Sequence, residues 1–213
     1  MTEISEMTLK QAVETIADSA NDAGGGTVAG LAALVATALV KRNIAKLRES
    51  GRSAVPASEM AELEWQVNDS LAHFFKLLDK DARAVADLKI ARASESEISE
   101  REEAVRVAVS VPSAIAAGSH RIGKVAARLV IAAPPELRAD LGIALHLLYS
   151  SFISGKIRMN DYFAGEKDLD PAFVLKTRNT LAHVEDEVSQ FVGPGLVAMW
   201  EAIDPKMEAG GGR

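Results

Sequence analysis

Three glycines and a threonine form the segment of this sequence with the clearest capacity to bind a ligand. Gly24, Gly25 and Gly26 separate two predicted helices, and Thr27 opens the second of them. Glycine has no Cβ, so its backbone can approach a ligand closely. The free amides at a helix start can also receive an anion or a carbonyl oxygen. A tight turn is the alternative interpretation, because glycine runs also end helices.

Two aspartates are the candidate acid-base groups. Asp81 lies near the apolar seam of a long predicted helix, and Asp140 lies one turn into a later helix. A positioned carboxylate can orient water and transfer protons, although near a helix start it is more often a partner of the helix dipole. The chain has no cysteine and no His-x-x-x-His pair, so we predict no metal site.

Three cations, Lys41, Arg42 and Lys46, follow the apolar stretch that Thr27 opens. Cations suit the carbonyl end of a helix, where they complement the dipole. Binding of an anionic ligand is the second interpretation of the same residues.

Composition predicts which elements position these residues. The 213 residues include 36 alanines and only 10 aromatic residues. Alanine favours helices, whereas strands are enriched in aromatic and β-branched residues, so we predict an all-α fold. The net charge of −6 argues against binding to nucleic acid or to an anionic membrane. The longest uncharged apolar run, residues 27–40, is shorter than the roughly 20 residues of a membrane span, and no secretory signal is visible, so we expect a cytoplasmic protein.

The spacing of apolar residues predicts an up-and-down bundle of about six helices. We place them at residues 9–20, 27–48, 58–90, 100–132, 135–158 and 171–192, with a short terminal helix at 196–203. Pro112 should kink or divide the fourth helix, because proline removes a backbone donor. A 30-residue helix is about 45 Å long, so its apolar face needs a partner, which we expect to be an identical chain. Residues 1–207 should form one domain and 208–213 a disordered tail.

Four segments, in this order, match the pattern of a known family: the glycine loop leading into an Ala-rich helix, Asp-x-x-Ala, Ala-x-x-Val-Pro, and Asp-x-Gly-x-Ala. They lie at residues 24–40, 81–85, 108–112 and 139–144, and the likeness spans about residues 8–160. The chain therefore resembles the cyclodeaminase/cyclohydrolase family of folate enzymes.

The resemblance implies an intertwined helical homodimer with a folate site in a cleft lined by the glycine loop. By matching position, Asp140 is the first candidate for the catalytic carboxylate and Asp81 the second, while residues 24–27 would contact the ligand. We expect the three cations to meet the glutamate carboxylates of the folate, an assignment that rests on charge and not on the family pattern.

The reaction that follows from the resemblance is hydrolysis of 5,10-methenyltetrahydrofolate to 10-formyltetrahydrofolate. It requires no cofactor or metal, since the tetrahydrofolate derivative is itself the substrate. Formiminotetrahydrofolate cyclodeaminase activity, in which ammonia leaves, is the close alternative. A non-catalytic helical dimer that binds a ligand or a protein stays open as well, because the chain departs from the family pattern around Lys46, Pro134 and Lys156.

Overall fold

The computed structural model describes residues 3–93, 98–164 and 169–203, and this part of the chain contains helices and no strand. The predicted tail, 208–213, lies outside the described residues. The predicted all-α class is confirmed. A short 3-10 helix and six α-helices follow one another as Ile4–Glu6, α1 (Leu9–Ala17), α2 (Gly25–Ser50), α3 (Ala57–Ala93), α4 (Ile98–Ala132), α5 (Pro135–Ala164) and α6 (Pro171–Ile203).

Helix α2 packs against α3, α4 and α5. Its alanines explain how three neighbours fit around it. Ala29, Ala33 and Ala36 are at most 2% exposed. A methyl group fills little space, so the neighbouring helices approach closely while their larger side chains supply the core volume. The alanine-rich composition thus becomes a closely packed helical core.

Helices α4 and α5 approach each other at a glycine. A Cβ at Gly155 would lie 2.7 Å from the carbonyl oxygen of Pro112, so only glycine fits. Nearby, the buried Ser119 hydroxyl donates to Ser151, which in turn donates to the carbonyl of Ala29 in α2. These two bonds satisfy polar groups in the core and join three helices. Helix α4 runs without interruption through Pro112, so the proline does not divide it.

Helix α6 corrects one prediction. The segment Gly193-Pro194-Gly195 was expected to end a helix at residue 192, but α6 continues through it to Ile203. The residue before a proline is disfavoured in a helix mainly because its Cβ clashes with the ring, and Gly193 has no Cβ. Gly195 is buried, and a side chain there would collide with Leu145 of α5. Gly195 therefore serves helix packing, and the segment does not form a turn.

Helix α2 is long and apolar enough to cross a membrane by length and composition, with a mean hydropathy of 1.5 in its most apolar window. In the bundle, 44% of that window is buried. Part of the helix surface stays uncovered, including Val28 and Val35, which are about half exposed. One chain therefore leaves part of the apolar surface of α2 exposed.

Replacing Gly155 with Ala should lower the free energy of unfolding by about 1–3 kcal/mol, the usual cost of overpacking a core. The added methyl would push α5 away from the Pro112 carbonyl. Urea denaturation followed by circular dichroism measures the change. Ser154→Ala is the matched control, because Ser154 bonds only the Ser150 carbonyl of its own helix. Equal stability of the two variants would contradict the close α4–α5 contact.

Candidate functional site

The first turn of α2 meets the middle of α3 at a buried carboxylate. The Thr27 hydroxyl donates to Asp81 Oδ2 at 2.9 Å, and Thr27 and Asp81 are 0% and 2% exposed. A Cβ at Gly26 would overlap the Asp81 carboxylate, so this approach requires glycine. The structure thus brings Asp81 together with Gly26 and Thr27 of the predicted glycine loop.

Burial raises the pKa of the Asp81 carboxyl above its ordinary value of 3.8. Removal from water is the largest cause, since it disfavours the charged form. Hydrogen bonds from Thr27 and the positive charge of Arg158 oppose the shift without cancelling it. A carboxyl with a raised pKa can give and take a proton nearer neutral pH, which is the property that a general acid-base group requires.

Two residues from the end of α5, Tyr162 and Arg158, complete the surroundings of Asp81. The Tyr162 side chain is 4% exposed, and its pKa is raised chiefly by burial and additionally by the Asp81 charge. The Arg158 guanidinium lies 4.6 Å from the centre of the Tyr162 ring and pairs with Asp161 at 2.7 Å. Among the described residues, no group bonds Arg158 Nε, and the Tyr162 hydroxyl interacts with the Arg158 side chain, which opposes the rise of the Tyr162 pKa. Each of these two atoms could therefore donate a hydrogen bond to a ligand.

A cavity of about 410 Å³ adjoins this cluster, lined by both Arg158 and Tyr162. Its other wall belongs to α3 and begins at Val85, one turn after Asp81. A second cavity of about 200 Å³ lies beside the loop before α2, where Asp22 lines it. An ion pair joins Asp22 to Lys89, which lines the larger cavity. Neither lining includes Asp81 or residues 24–27, so the two cavities adjoin the sequence neighbours of the glycine loop and of Asp81.

The glycine loop itself distinguishes between the two interpretations of its sequence. Side chains at Gly24 and Gly25 would meet nothing within 4 Å, unlike one at Gly26. Within the described residues, Gly51 alone has a positive φ. The backbone of residues 24–26 therefore does not need glycine for a left-handed turn. Helix α2 starts at Gly25, and its first amides have no acceptor within the helix. These features favour an open backbone surface over a tight turn.

Comparison with known proteins identifies the architecture. The sequence model of formiminotransferase-cyclodeaminase matches residues 8–181. The chain belongs to this family. A solved structure of formiminotetrahydrofolate cyclodeaminase from Thermotoga maritima has the same fold, with a TM-score of 0.79 over 96% of this chain and 100% of that one, at 18% identity. A search of curated proteins gave no match.

The remaining predicted site residues lie near the end of α2 that is far from Thr27. Asp140 forms ion pairs with Lys46 at 3.6 Å and Arg42 at 3.9 Å, and its side chain is 35% exposed. Lys41 is exposed beside them. At 1.5 Å per residue, Lys46 is about 28 Å along the helix from Thr27. Asp140 and Asp81, the two predicted catalytic carboxylates, therefore do not share a site within one chain.

Tyr162 and Arg158 were absent from the predicted site. The fifth helix was expected to end near Arg158, yet α5 continues to Ala164 and places Tyr162 one further turn along the same face. The i, i+4 spacing of the pair was visible, but no sequence pattern joined it to Asp81 on another helix. No group of three or more metal-ligating side chains occurs among residues 3–93, 98–164 and 169–203.

Replacing Asp81 with Asn should remove a pH-dependent penalty from folding. Because its folded pKa is raised, the native carboxyl holds its proton more tightly than the unfolded one, so stability falls as pH rises above about 3.8. The wild type should therefore lose stability relative to Asp81→Asn as pH increases from 3.5, until the folded carboxyl is ionised. Urea denaturation from pH 3.5 to 7.5 measures both proteins. A constant difference across that range would show that the pKa is not raised.

Proposed function

We propose that the protein is a folate-dependent one-carbon enzyme that uses Asp81 as its acid-base group. The observation that carries the proposal is the buried carboxyl held by Thr27 against the open glycine loop, with Tyr162 beside it. Family membership supports a folate-type ligand. We also propose a cytoplasmic location, as predicted from the sequence.

The first candidate reaction is hydrolysis of 5,10-methenyltetrahydrofolate. Water adds to the methenyl carbon, and the Asp81 carboxylate takes its proton as the tetrahedral carbinolamine forms. The same proton then passes to N5 as the bond between N5 and the one-carbon unit breaks. The hydroxyl of the carbinolamine loses its own proton to water as the carbonyl forms, which yields 10-formyltetrahydrofolate and one released proton. Tyr162 keeps its proton at neutral pH, so it can donate a hydrogen bond to the developing hydroxyl. One buried carboxyl thereby serves both steps.

The second candidate is formiminotetrahydrofolate cyclodeaminase activity, which the matched family and the Thermotoga maritima structure favour by name. Here N10 attacks the formimino carbon and closes the ring. The amino nitrogen of the tetrahedral intermediate must then be protonated before it leaves as ammonia. A carboxyl with a raised pKa is suited to supply that proton. Both reactions use the same group at the same carbon.

Two assays separate the candidates, and one variant tests the site in both. Loss of the methenyl chromophore reports hydrolysis, and ammonia release from 5-formiminotetrahydrofolate reports deamination. Asp81→Asn should lower kcat by about 10²–10⁴-fold in whichever reaction the wild type catalyses, the usual contribution of a general acid-base group. Asp69→Asn is the matched control. Asp69 is on α3, as Asp81 is, but it is exposed and pairs with Arg121 of α4.

Asp140→Asn decides between the two predicted carboxylates. If Asp140→Asn abolishes turnover and Asp81→Asn does not, the catalytic group is the sequence's first candidate and our assignment is wrong. If the wild type binds folates but accelerates neither reaction, the protein is the non-catalytic relative that the sequence left open.

We further propose that the protein is a homodimer built on the uncovered face of α2. Val28 and Val35 are exposed on this face, and Ala38 continues it. The midpoint between Thr27 and Lys46 falls between Val35 and Ala38. Antiparallel pairing of two α2 helices about this point would bring the Asp140 cluster of one copy near the glycine loop of the other. Such pairing would unite residues that are separate within one chain.

Val35→Glu should dissociate this dimer. A carboxylate at the centre of the α2 face would be buried without a partner in each of the two copies, at a cost of about 1–3 kcal/mol or more for each carboxylate, so the dissociation constant should rise at least tenfold. Light scattering after size-exclusion chromatography measures the mass over a dilution series. Val107→Glu is the control, since Val107 is a comparably exposed valine on α4. A wild-type monomer, or a Val35→Glu dimer of unchanged affinity, would exclude this interface.

A further inference from the structure

One arginine of α5 is held beside the acid-base site by two contacts. The Arg158 guanidinium pairs with Asp161 at 2.7 Å and lies 4.6 Å from the centre of the Tyr162 ring. The i, i+3 and i, i+4 spacings make both residues neighbours of Arg158 on the helix surface. Its Nε is buried, and the side chain as a whole is 30% exposed. The structure therefore fixes the position of one positive charge at this point.

The charge of Arg158 acts on both titratable groups of the site. Burial raises the pKa of the Asp81 carboxyl and of the Tyr162 hydroxyl, and the positive charge of Arg158 opposes both shifts. Thr27 of α2 also lowers the Asp81 pKa, but it does so through hydrogen bonds and carries no charge. The charges of Asp81 and Asp161 raise the Tyr162 pKa further. Arg158 therefore supplies the positive charge that favours the ionised form of Asp81.

Asp81 and Tyr162 have opposite requirements in the proposed reactions. Asp81 must both lose and take up a proton in each turnover, whereas Tyr162 must keep its proton to donate a hydrogen bond. A buried carboxyl without a nearby cation stays protonated to a higher pH, and one in direct contact with a cation stays ionised. Among the described residues, Arg158 forms its ion pair with Asp161 rather than with Asp81. Its charge thus favours the Asp81 carboxylate without binding it.

We infer that Arg158 is a positioning residue of this site, which holds the Tyr162 ring in place and makes an ionised Asp81 accessible during turnover. The inference rests on the proposed function, because it assumes that Asp81 transfers the proton. Stacking on an aromatic ring and pairing with a carboxylate both use the planar shape of a guanidinium. Guanidinium groups also stay charged over the working pH range of an enzyme. The effect of Arg158 is therefore constant while Asp81 titrates.

Titration of the Asp81 carboxyl tests the inference without any folate. Carbon-13 NMR follows the carboxyl signals against pH in protein with labelled aspartate, and Asp81→Asn assigns the signal. Arg158→Gln removes the charge, so the titration midpoint of Asp81 should move to higher pH, with at least about a threefold fall in the ionisation constant. Arg158→Lys keeps a charge but loses the planar group, so its midpoint should lie between those of the wild type and Arg158→Gln.

The pH dependence of kcat/KM connects this titration to the reaction. In Arg158→Gln the limb governed by Asp81 should move to higher pH by the same factor as the NMR midpoint. This is the acidic limb in hydrolysis, where the carboxylate accepts a proton, and the basic limb in deamination, where the carboxyl donates one. Arg178→Gln is the control and should move neither the midpoint nor the limb. Arg178 lies 5.5 Å from the centre of the Phe163 ring, a similar contact, but it is not among the groups that shift the Asp81 pKa.

Other outcomes separate the inference from the function on which it rests. An unchanged Asp81 midpoint in folded Arg158→Gln overturns the inference at any level of activity. A shifted midpoint with an unchanged limb overturns both the inference and the assignment of Asp81 as the acid-base group. A wild type that turns over neither folate substrate overturns the proposed function, while the NMR midpoint still decides whether Arg158 acts on Asp81. Circular dichroism establishes that each variant folds, and Arg158→Met, which keeps an apolar stem, replaces Arg158→Gln if that variant does not fold.

Discussion

The contact between Gly26 and the Asp81 carboxylate is the constraint on which the candidate site depends. It fixes where the first turn of α2 meets α3, because no residue with a Cβ fits at position 26. The same contact removes Asp81 from water and gives it a hydroxyl donor, so one packing requirement sets both the position and the raised pKa of the carboxyl. A substitution that alters the packing at Gly26 should therefore also alter the pKa of Asp81.

The helical architecture was predictable because its determinants are local. Alanine content, helix spacing and capping residues are properties of short segments, and each acts within a few turns. The capping box at Thr8 and Gln11 forms as its sequence pattern indicates. Gly193-Pro194-Gly195 was misinterpreted because its role depends on Leu145, a residue of another helix. Glycine next to proline is the same pattern whether it ends a helix or lets one pass a neighbour.

The grouping of the site residues was less predictable, since it depends on which helices become neighbours and in which direction they run. The sequence identified Asp81 and the glycine loop, but it could not show that Asp140 pairs with Lys46 at the far end of α2. Tyr162 was missed because the end of α5 was placed six residues, nearly two turns, too early. Such an error changes little in the predicted fold, but it leaves a residue out of the predicted site.

The bond from Ser151 to the carbonyl of Ala29 joins residues 122 positions apart. During synthesis the ribosome completes α2, which contains a long apolar stretch, well before α5 emerges to cover it. Contacts of such long sequence separation form slowly, and uncovered apolar surface promotes aggregation in the interval. The glycine-loop end of α2 is therefore among the last parts of the molecule to reach its final surroundings.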